Sequence, residues 1–328
     1  MMYRVGIIGC GGIAQVHAQV LSSMQEVSLA ACADIRPERA QALAEKHGMR
    51  AYSSLEEMLE HEQLDVVHIC TPHYLHAPMA QQLAQKGIAV FSEKPPAINR
   101  EQWAQFRAAA DSVSVGICFQ NRYNPNVVEL KRILAERPYG ELHGARAFVT
   151  WHRTVPYYLD SGWRGTWATE GGGALINQSI HTLDLLIWLL GAPDEVRGTM
   201  SNRHLKDVIE VEDTVEAWMR IGGCSALFYA TTAYSTDAPV LMDFHFDQAV
   251  VRLENERLEI HRNGEIERRE YPMEAKLGKG YWGNGHRACI HDFYSALAEG
   301  RPYQNDPASV DATVDTMLTL YENCRDMI

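Results

Sequence analysis

The sequence has few of the features that mark secreted, membrane-spanning or zinc-ribbon proteins. Its seven cysteines are an odd number, scattered from Cys10 to Cys324 without a Cys-x-x-Cys pair, so neither a disulfide framework nor a zinc ribbon is indicated. The longest apolar run, residues 185–190, is far too short to span a bilayer. The first residues lack the basic leader, apolar core and small-residue cleavage site of a secretion signal. We therefore expect a cytoplasmic protein with free thiols and no membrane partner.

Positive charge is also scarce. Lys and Arg total 30 against 42 Asp and Glu, the formal net charge is -12, and no basic run is interleaved with aromatic residues. Nucleic acid is therefore not an expected partner. The fourteen histidines show no spacing typical of a zinc helix or ribbon, which predicts that the protein uses no metal. Hydrophobic residues at 46% are ordinary for a globular chain, and 328 residues suffice for two domains.

The first part of the chain, residues 4–119, alternates short apolar β-patterned runs with helical patterns. This alternation is typical of βαβ units and a parallel sheet. The helices have recognisable ends, since Ser54 and Asn99 are good N-cap residues and Pro37 and Gly48 bracket another helix. The predicted strands are 4–8, 27–33, 66–70, 88–91 and 113–119. We predict an α/β Rossmann domain with a doubly wound parallel sheet over residues 1–122.

The rhythm changes after Asn124. A helix over 127–135 is followed by long β-patterned runs without helices between most of them, which indicates an antiparallel sheet. These runs are 142–150, 195–202, 214–221, 225–232, 241–246 and 249–253, and the later helices are 174–190, 288–299 and one that starts at 309. Residues 123–328 are predicted to form an α+β domain with an open, mainly antiparallel sheet. One face of such a sheet must be covered, which predicts a homodimer or homotetramer.

The first strand ends in a G-x-G-x-x-A turn that opens a helix. Gly9, Gly11 and Gly12, followed by Ile13 and Ala14, would let the backbone turn tightly and admit a pyrophosphate to the helix N-terminus. A lone turn of this kind is a weak signal, but its position between a strand and a helix makes it specific. We predict that Gly9, Gly11, Gly12 and Ile13 bind a dinucleotide.

Two residues near the end of the second strand bear on which dinucleotide is bound. Asp34 lies where an acid hydrogen-bonds the adenosine ribose, and it favours NAD because a carboxylate repels a 2′-phosphate. Arg36 could pair with such a phosphate, or it could simply be solvated. The predicted cofactor is NAD, with NADP as the alternative.

Two further segments follow strands at the carboxyl edge, where ligands bind in an open parallel sheet. Thr71 and Pro72, with His76 after them, follow the third predicted strand, and Glu93 with Lys94 follows the fourth. Lys94 would place an ammonium beside the cofactor, where it can stabilise a developing alkoxide. Taken alone, a lysine at a strand end more often has only a surface role. All five residues are predicted cofactor contacts.

These segments and several later ones together resemble the Gfo/Idh/MocA family, the group of glucose-fructose oxidoreductase, inositol dehydrogenase and rhizopine-catabolism proteins. The resemblance covers nearly the whole chain. Six motifs occur in the family's order: Gly9 to Ala14, Thr71 to His76, Glu93 to Pro95, Arg122 to Pro125, Gly171 to Asp184, and His291 to Phe293.

The resemblance implies that Lys94 and His181 line the active site. Many dehydrogenases of the family have an aspartate four residues before this histidine, whereas this sequence has Asn177. An asparagine cannot relay a proton, but it can position a substrate hydroxyl. Asp184, three residues after His181, is a candidate for orienting the imidazole. Taken alone, His181 would more often be a core histidine; with the resemblance, Lys94, His181 and Asn177 are the predicted catalytic residues.

Aromatic and basic residues before the triple glycine suit a sugar. The indole of Trp163 could stack on a pyranose and the guanidinium of Arg164 could bind its hydroxyls, or both could belong to an amphipathic loop. Trp167 is expected to pack on the sheet instead. The predicted substrate contacts are Arg122, Trp163, Arg164, Asn177 and His181.

The resulting hypothesis is an NAD(P)-dependent dehydrogenase that oxidises a hydroxyl of a sugar, sugar derivative or cyclitol to a ketone. Two alternatives remain open. One is a redox-neutral enzyme that retains its NAD and acts through a 3-keto sugar. The other is a non-catalytic regulator that senses the nucleotide, since fold resemblance alone does not decide function.

Overall fold

The computed structural model describes residues 2–271 and 285–328. The described residues form two compact units, one of 2–120 with 285–309 and the other of 121–271 with 310–328. The chain therefore returns to the first unit after it has formed most of the second.

Helices and strands of the described residues are numbered separately along the chain. The α-helices are α1 (Gly12–Leu21), α2 (Pro37–His47), α3 (Leu55–His61), α4 (His76–Ala84), α5 (Arg100–Ala109), α6 (Pro125–Glu136), α7 (Val155–Leu159), α8 (Ile180–Leu190), α9 (His286–Glu299) and α10 (Pro307–Cys324). The strands are β1 (Tyr3–Ile8), β2 (Val27–Ala33), β3 (Arg50–Tyr52), β4 (Val66–Ile69), β5 (Ala89–Ser92), β6 (Val115–Ile117), β7 (Leu142–Thr150), β8 (Glu195–Ser201), β9 (Thr214–Ile221), β10 (Cys224–Thr231), β11 (Leu241–Phe246), β12 (Val250–Glu254), β13 (Arg257–Arg262) and β14 (Glu265–Glu270).

The first unit is built on a parallel six-stranded sheet in the order β3-β2-β1-β4-β5-β6. This order, which reverses between β1 and β4, is that of a doubly wound Rossmann sheet, and it confirms the predicted fold class. The predicted caps are present, because the side chains of Ser54 and Asn99 accept the backbone N–H of Glu57 and Gln102. Strand β3 was missed because its three residues lie at the sheet edge and are mostly exposed, so they carry no apolar pattern.

Helix α9 belongs to the first unit. The ring of Phe293 lies 5.1 Å from that of Phe91 on β5, and the hydroxyl of Tyr294 lies 3.0 Å from His68 on β4. The sequence-based boundary after residue 122 assigned this helix to the second domain. Its apolar face instead completes the core of the first unit, and such a distant contact leaves no mark in a local pattern.

The second unit is built on an eight-stranded sheet in the order β14-β13-β12-β11-β7-β10-β9-β8. Strands β7 and β10 pair in parallel and the other neighbours are antiparallel, which confirms an open, mainly antiparallel sheet. The hairpin of β13 and β14 was missed, because β14 is exposed along nearly its whole length and its charged sequence shows no apolar alternation.

The single helix predicted over 174–190 is two segments. A π-helix, Ala174–Ser179, comes first and α8 follows it directly. π-Turns inside helices are rare and are frequent at functional sites. Among the described residues, no helix is both long and apolar enough to cross a membrane.

Candidate active site

The glycine turn after β1 has two different requirements for glycine. Gly9 has φ of 86°, and a Cβ there would lie 2.7 Å from the backbone carbonyl of Cys70, so packing and conformation both demand glycine. Gly11 is the N-cap of α1, and a Cβ there would meet nothing within 4 Å. No side chain caps this helix, so the N–H groups of its first turn, from Gly12 and Ile13 onward, face open space. That is the arrangement an anionic pyrophosphate fits.

Asp34 closes the other side of this turn. Its carboxylate oxygens accept the backbone N–H of Cys10 at 2.7 Å and of Arg36 at 2.8 Å, and only 8% of the residue is exposed. The sequence predicted a ribose contact and missed this bracing of the loop. Each carboxylate oxygen has a second lone pair, so Asp34 can still accept a ribose hydroxyl. The side chain of Arg36 is exposed at the start of α2.

The segments after β4 and β5 are held together by His76. Its ring nitrogens lie 2.6 Å from the carbonyl oxygen of Pro95 and 2.8 Å from that of Thr71. Burial lowers the pKa of His76, although both carbonyls oppose the shift. The predicted role of His76 as a cofactor contact is corrected, because the ring is fully buried and both nitrogens are used to brace the two loops. Thr71, Pro72 and Lys94 are partly exposed at the ends of their strands.

Glu93 forms a buried network that sequence reasoning missed. Its carboxylate lies 3.0 Å from Nε2 of His17, whose Nδ1 lies 2.9 Å from Nδ1 of His68. Burial alone would raise the pKa of Glu93, but the hydrogen bond and charge of His17 outweigh it and hold the pKa far below its usual range. The same carboxylate accepts the backbone N–H of Lys94 at 3.3 Å. An anionic Glu93 thus braces the backbone from which the Lys94 side chain projects.

The network contains one set of donor atoms that could hold a metal ion. Nitrogen of His17, oxygen of Glu93 and sulfur of Cys118 lie within 4.8 Å of one another. Hydrogen bonds to Glu93 and His68 already satisfy both ring nitrogens of His17, so the cluster is accounted for without an ion. The expectation that the protein uses no metal stays a prediction.

In the second unit, the triple glycine is packed too closely for any side chain. A Cβ on Gly173 would lie 2.0 Å from the backbone oxygen of Glu212, and one on Gly172 would lie 2.0 Å from the hydroxyl of Tyr321. The buried carboxylate of Glu212 accepts the N–H groups of Gly173 and Leu175, both at 2.9 Å, and the hydroxyl of Tyr321 at 2.8 Å. Burial raises the pKa of Glu212 to about 7. An internal acid therefore caps the π-helix that carries Asn177.

Asn177 and His181 are half-buried on the π-helix and on the first turn of α8. The side-chain nitrogen of Asn177 lies 2.5 Å from an oxygen of Glu170 and 3.4 Å from the hydroxyl of Tyr157. The other oxygen of Glu170 accepts the N–H of Gly165 at 2.5 Å. Glu170 was missed, because an acid in a glycine-rich loop gives no sign in sequence that it is fully buried.

Arg122 does not form part of this cluster. Its guanidinium is 0% exposed and binds both oxygens of Asp184, Nε at 2.8 Å and Nη2 at 2.5 Å. Asp184 also accepts the hydroxyl of Thr313 at 2.9 Å. The prediction that Arg122 contacts substrate is wrong, since the buried side chain has no surface to offer a ligand. The suggestion that Asp184 orients His181 is corrected in the same way, because its oxygens serve Arg122 and Thr313.

The loop before the triple glycine brings predicted substrate contacts together. The Arg164 guanidinium lies 4.3 Å from the ring centre of Tyr157 and 4.8 Å from that of Trp163, so it is held between two aromatic faces. Tyr157 in turn contacts Asn177. Trp167 packs against a buried cluster that includes Tyr158, which confirms its expected role in packing. Trp163, Arg164 and Asn177 therefore share one partly exposed aromatic and polar patch.

Two family models match most of the chain. The model described as oxidoreductase family, NAD-binding Rossmann fold (GFO_IDH_MocA) matches residues 3–119. The model of the GFO/IDH/MocA C-terminal domain matches residues 127–260. The two matches fall in the first and second units, respectively.

Individual relatives are similar over different spans. The chain is 32% identical to D-glucoside 3-dehydrogenase of Escherichia coli over 197 residues, which cover 58% of this chain and 54% of that protein. This match thus spans about half the length of that relative. Inositol 2-dehydrogenase of Rhizobium meliloti is 25% identical over 323 residues, or 96% of this chain and 89% of the relative. Among solved structures, the WlbA dehydrogenase from Bordetella pertussis in complex with NADH and UDP-GlcNAcA has a TM-score of 0.86 at 26% identity, covering 100% of this chain and 98% of that one.

Proposed function

The chain belongs to the Gfo/Idh/MocA family of oxidoreductases, and on that basis we propose that it is an NAD-dependent dehydrogenase of a sugar, sugar derivative or cyclitol. It would oxidise one hydroxyl to a ketone. The observation that carries the proposal is that the glycine turn, Thr71 and Lys94 follow β1, β4 and β5, three neighbouring strands of one parallel sheet. A dinucleotide site and a potential catalytic cation thus lie at the same sheet edge, where such sheets bind ligands.

The residues of the first unit fit a bound dinucleotide. The uncapped first turn of α1 would bind the pyrophosphate, and Asp34 would accept a ribose hydroxyl. The carboxylate of Asp34 favours NAD over its 2′-phosphorylated form, although the exposed Arg36 leaves NADP as an alternative cofactor. Bound nicotinamide would supply the hydride acceptor.

The roles proposed for the side chains follow from their chemistry. The Lys94 ammonium donates a hydrogen bond to the reacting oxygen and stabilises its negative charge as the alkoxide develops. His181 takes up the hydroxyl proton, and Asn177 positions a hydroxyl of the substrate. Trp163 and Arg164 bind the sugar face and its hydroxyls, a role supported by their half-exposed positions beside Tyr157.

A substrate screen tests the proposal. Purified protein with NAD or NADP would be mixed with inositols, aldoses, uronates and glycosides, and reduced nicotinamide would be followed by its near-ultraviolet absorbance. We expect formation of reduced nicotinamide with one substrate class. Silence across the panel, with nucleotide retained through purification, would instead favour a redox-neutral enzyme or a nucleotide-sensing regulator.

We also propose that a second copy of the chain covers the outer face of the eight-stranded sheet. Leu227 on β10 is 52% exposed and pairs with Trp218 on β9 and Arg146 on β7, while the neighbouring rings of Phe148 and Tyr229 lie 6.3 Å apart. A contiguous apolar patch with charged residues at its edge is typical of a subunit interface.

Replacing Leu227 with glutamate should therefore lower the molar mass measured by light scattering at micromolar concentration, because a buried, unpaired carboxylate opposes association. Val128→Glu is the matched control, since Val128 is 53% exposed on α6 of the same unit. A wild-type protein that is already a monomer would defeat this proposal.

A further inference from the structure

Asn177 stands where many relatives have an aspartate, yet a carboxylate is present beside it. Glu170 is 0% exposed, and one of its oxygens lies 2.5 Å from the side-chain nitrogen of Asn177. Its other oxygen accepts the N–H of Gly165 at 2.5 Å. The acid thus joins Asn177 to the loop that carries Trp163 and Arg164.

We propose that Glu170 is a positioning residue whose protonation state selects which end of the Asn177 amide faces the substrate. The inference rests on the proposed dehydrogenase function, in which Asn177 contacts the oxygen of the alcohol or ketone. An ionised Glu170 presents the amide carbonyl to the ligand, and a protonated Glu170 presents the amide nitrogen.

The argument follows from donor and acceptor counting. An ionised carboxylate only accepts hydrogen bonds, so the nitrogen of Asn177 must face it, as it does in the structure. The Gly165 N–H is a fixed donor and always requires an oxygen of Glu170. A proton added to Glu170 therefore resides on the oxygen that faces Asn177. It can be donated only to the Asn177 carbonyl, after the amide turns over, and each state then keeps both hydrogen bonds.

Glu170 is placed where both states are accessible near neutral pH. Burial raises its pKa to about 7, against the lowering effect of the Gly165 N–H, the Asn177 amide and the positive charge of Arg164. The titratable and charged groups around it come from every neighbouring segment: Arg164 of its own loop, Tyr157 and Tyr158 of α7, Glu212 before β9, and Tyr321 of α10. The negative charge of Glu212 raises the pKa of Glu170 further.

The two orientations suit the two directions of the reaction. An alcohol can donate its proton to the Asn177 carbonyl, whereas a ketone oxygen can only accept from the amide nitrogen. As pH rises through about 7, KM for the alcohol should therefore fall and KM for the ketone should rise. The values of kcat should change little from this cause, because the chemical step uses other groups.

The variant Glu170→Gln tests this directly. Its carboxamide oxygen must face the Gly165 N–H, so its nitrogen faces Asn177 and holds the amide in the turned orientation. We expect KM for the alcohol to rise about tenfold above neutral pH, the size expected for one lost hydrogen bond, and KM for the ketone to become independent of pH. Glu210→Gln is the matched control, because Glu210 contacts the N–H of Trp167 in the same loop and is exposed. An unchanged pH dependence of both KM values in Glu170→Gln would overturn the proposal.

A spectroscopic measurement on the protein without substrate separates this inference from the proposed function. Infrared spectra should show a protonated carboxyl band that appears as pH falls through about 7 and is missing from Glu170→Gln. The side-chain amide signals of Asn177 in nitrogen-edited NMR, assigned by their loss in Asn177→Asp, should shift with the same midpoint. Amide signals that do not respond to pH would overturn the inference even if Glu170→Gln does not fold. A titrating amide in a protein that oxidises no polyol would leave Glu170 as described and refute the dehydrogenase instead.

Discussion

Replacing Lys94 with alanine is expected to lower kcat by about 10²- to 10³-fold, the usual effect of removing one donor that stabilises a developing oxyanion. The backbone N–H of Lys94 and its brace, Glu93, remain in the variant, so the loop should keep its shape. Binding of NAD should therefore be retained. The measurement is steady-state kinetics on the substrate found in the screen, together with NAD affinity by fluorescence or calorimetry.

Lys86→Ala is the control for this variant, because Lys86 is an exposed lysine of the same unit that lies after α4, away from the carboxyl edge. Its kinetics should match those of the wild type. If Lys94→Ala retained its full kcat, the lysine would be excluded as the group that stabilises the reacting oxygen.

Arg122→Ala is expected to destabilise the protein by about 3–5 kcal/mol, the range for breaking a buried ion pair from one side. The reason is that Asp184 is only 1% exposed, so the variant leaves a buried carboxylate without its cation. Chemical denaturation of wild type and variant, compared at the same pH, measures the difference in the free energy of unfolding.

A double variant identifies the cause. Arg122→Met with Asp184→Leu removes both charges and keeps most of the volume, so it should recover much of the lost stability. If Arg122 were instead a substrate contact, the single variant would raise KM and leave the free energy of unfolding unchanged. That result would contradict the buried pair described above.

The local patterns of the sequence were sufficient where a chemical requirement is local. The glycine turn at Gly9, the caps at Ser54 and Asn99 and the alternation of strands and helices all depend on neighbouring residues, and all were recognised before the structure. The strands β3 and β14 were not, because an exposed edge strand has no apolar face to leave a pattern.

The site divides along the same line. Sequence indicated the dinucleotide turn and, through the family resemblance, the positions of Lys94, Asn177 and His181. It did not indicate that Asp34 braces the glycine turn or that His76 joins two loops. In both residues the side chain meets backbone groups that lie far away along the chain or depend on loop geometry.

By itself, the sequence determined the Rossmann architecture, the open second sheet and the family, because these follow from periodicity and from motifs of short range. Tertiary structure alone decided the pairing of Arg122 with Asp184, 62 residues apart, and the burial of Glu170 beside Asn177. The physical reason is that burial governs what a charged group does. A carboxylate or guanidinium has the same letter in the sequence whether water or protein surrounds it, and only the fold determines which one does.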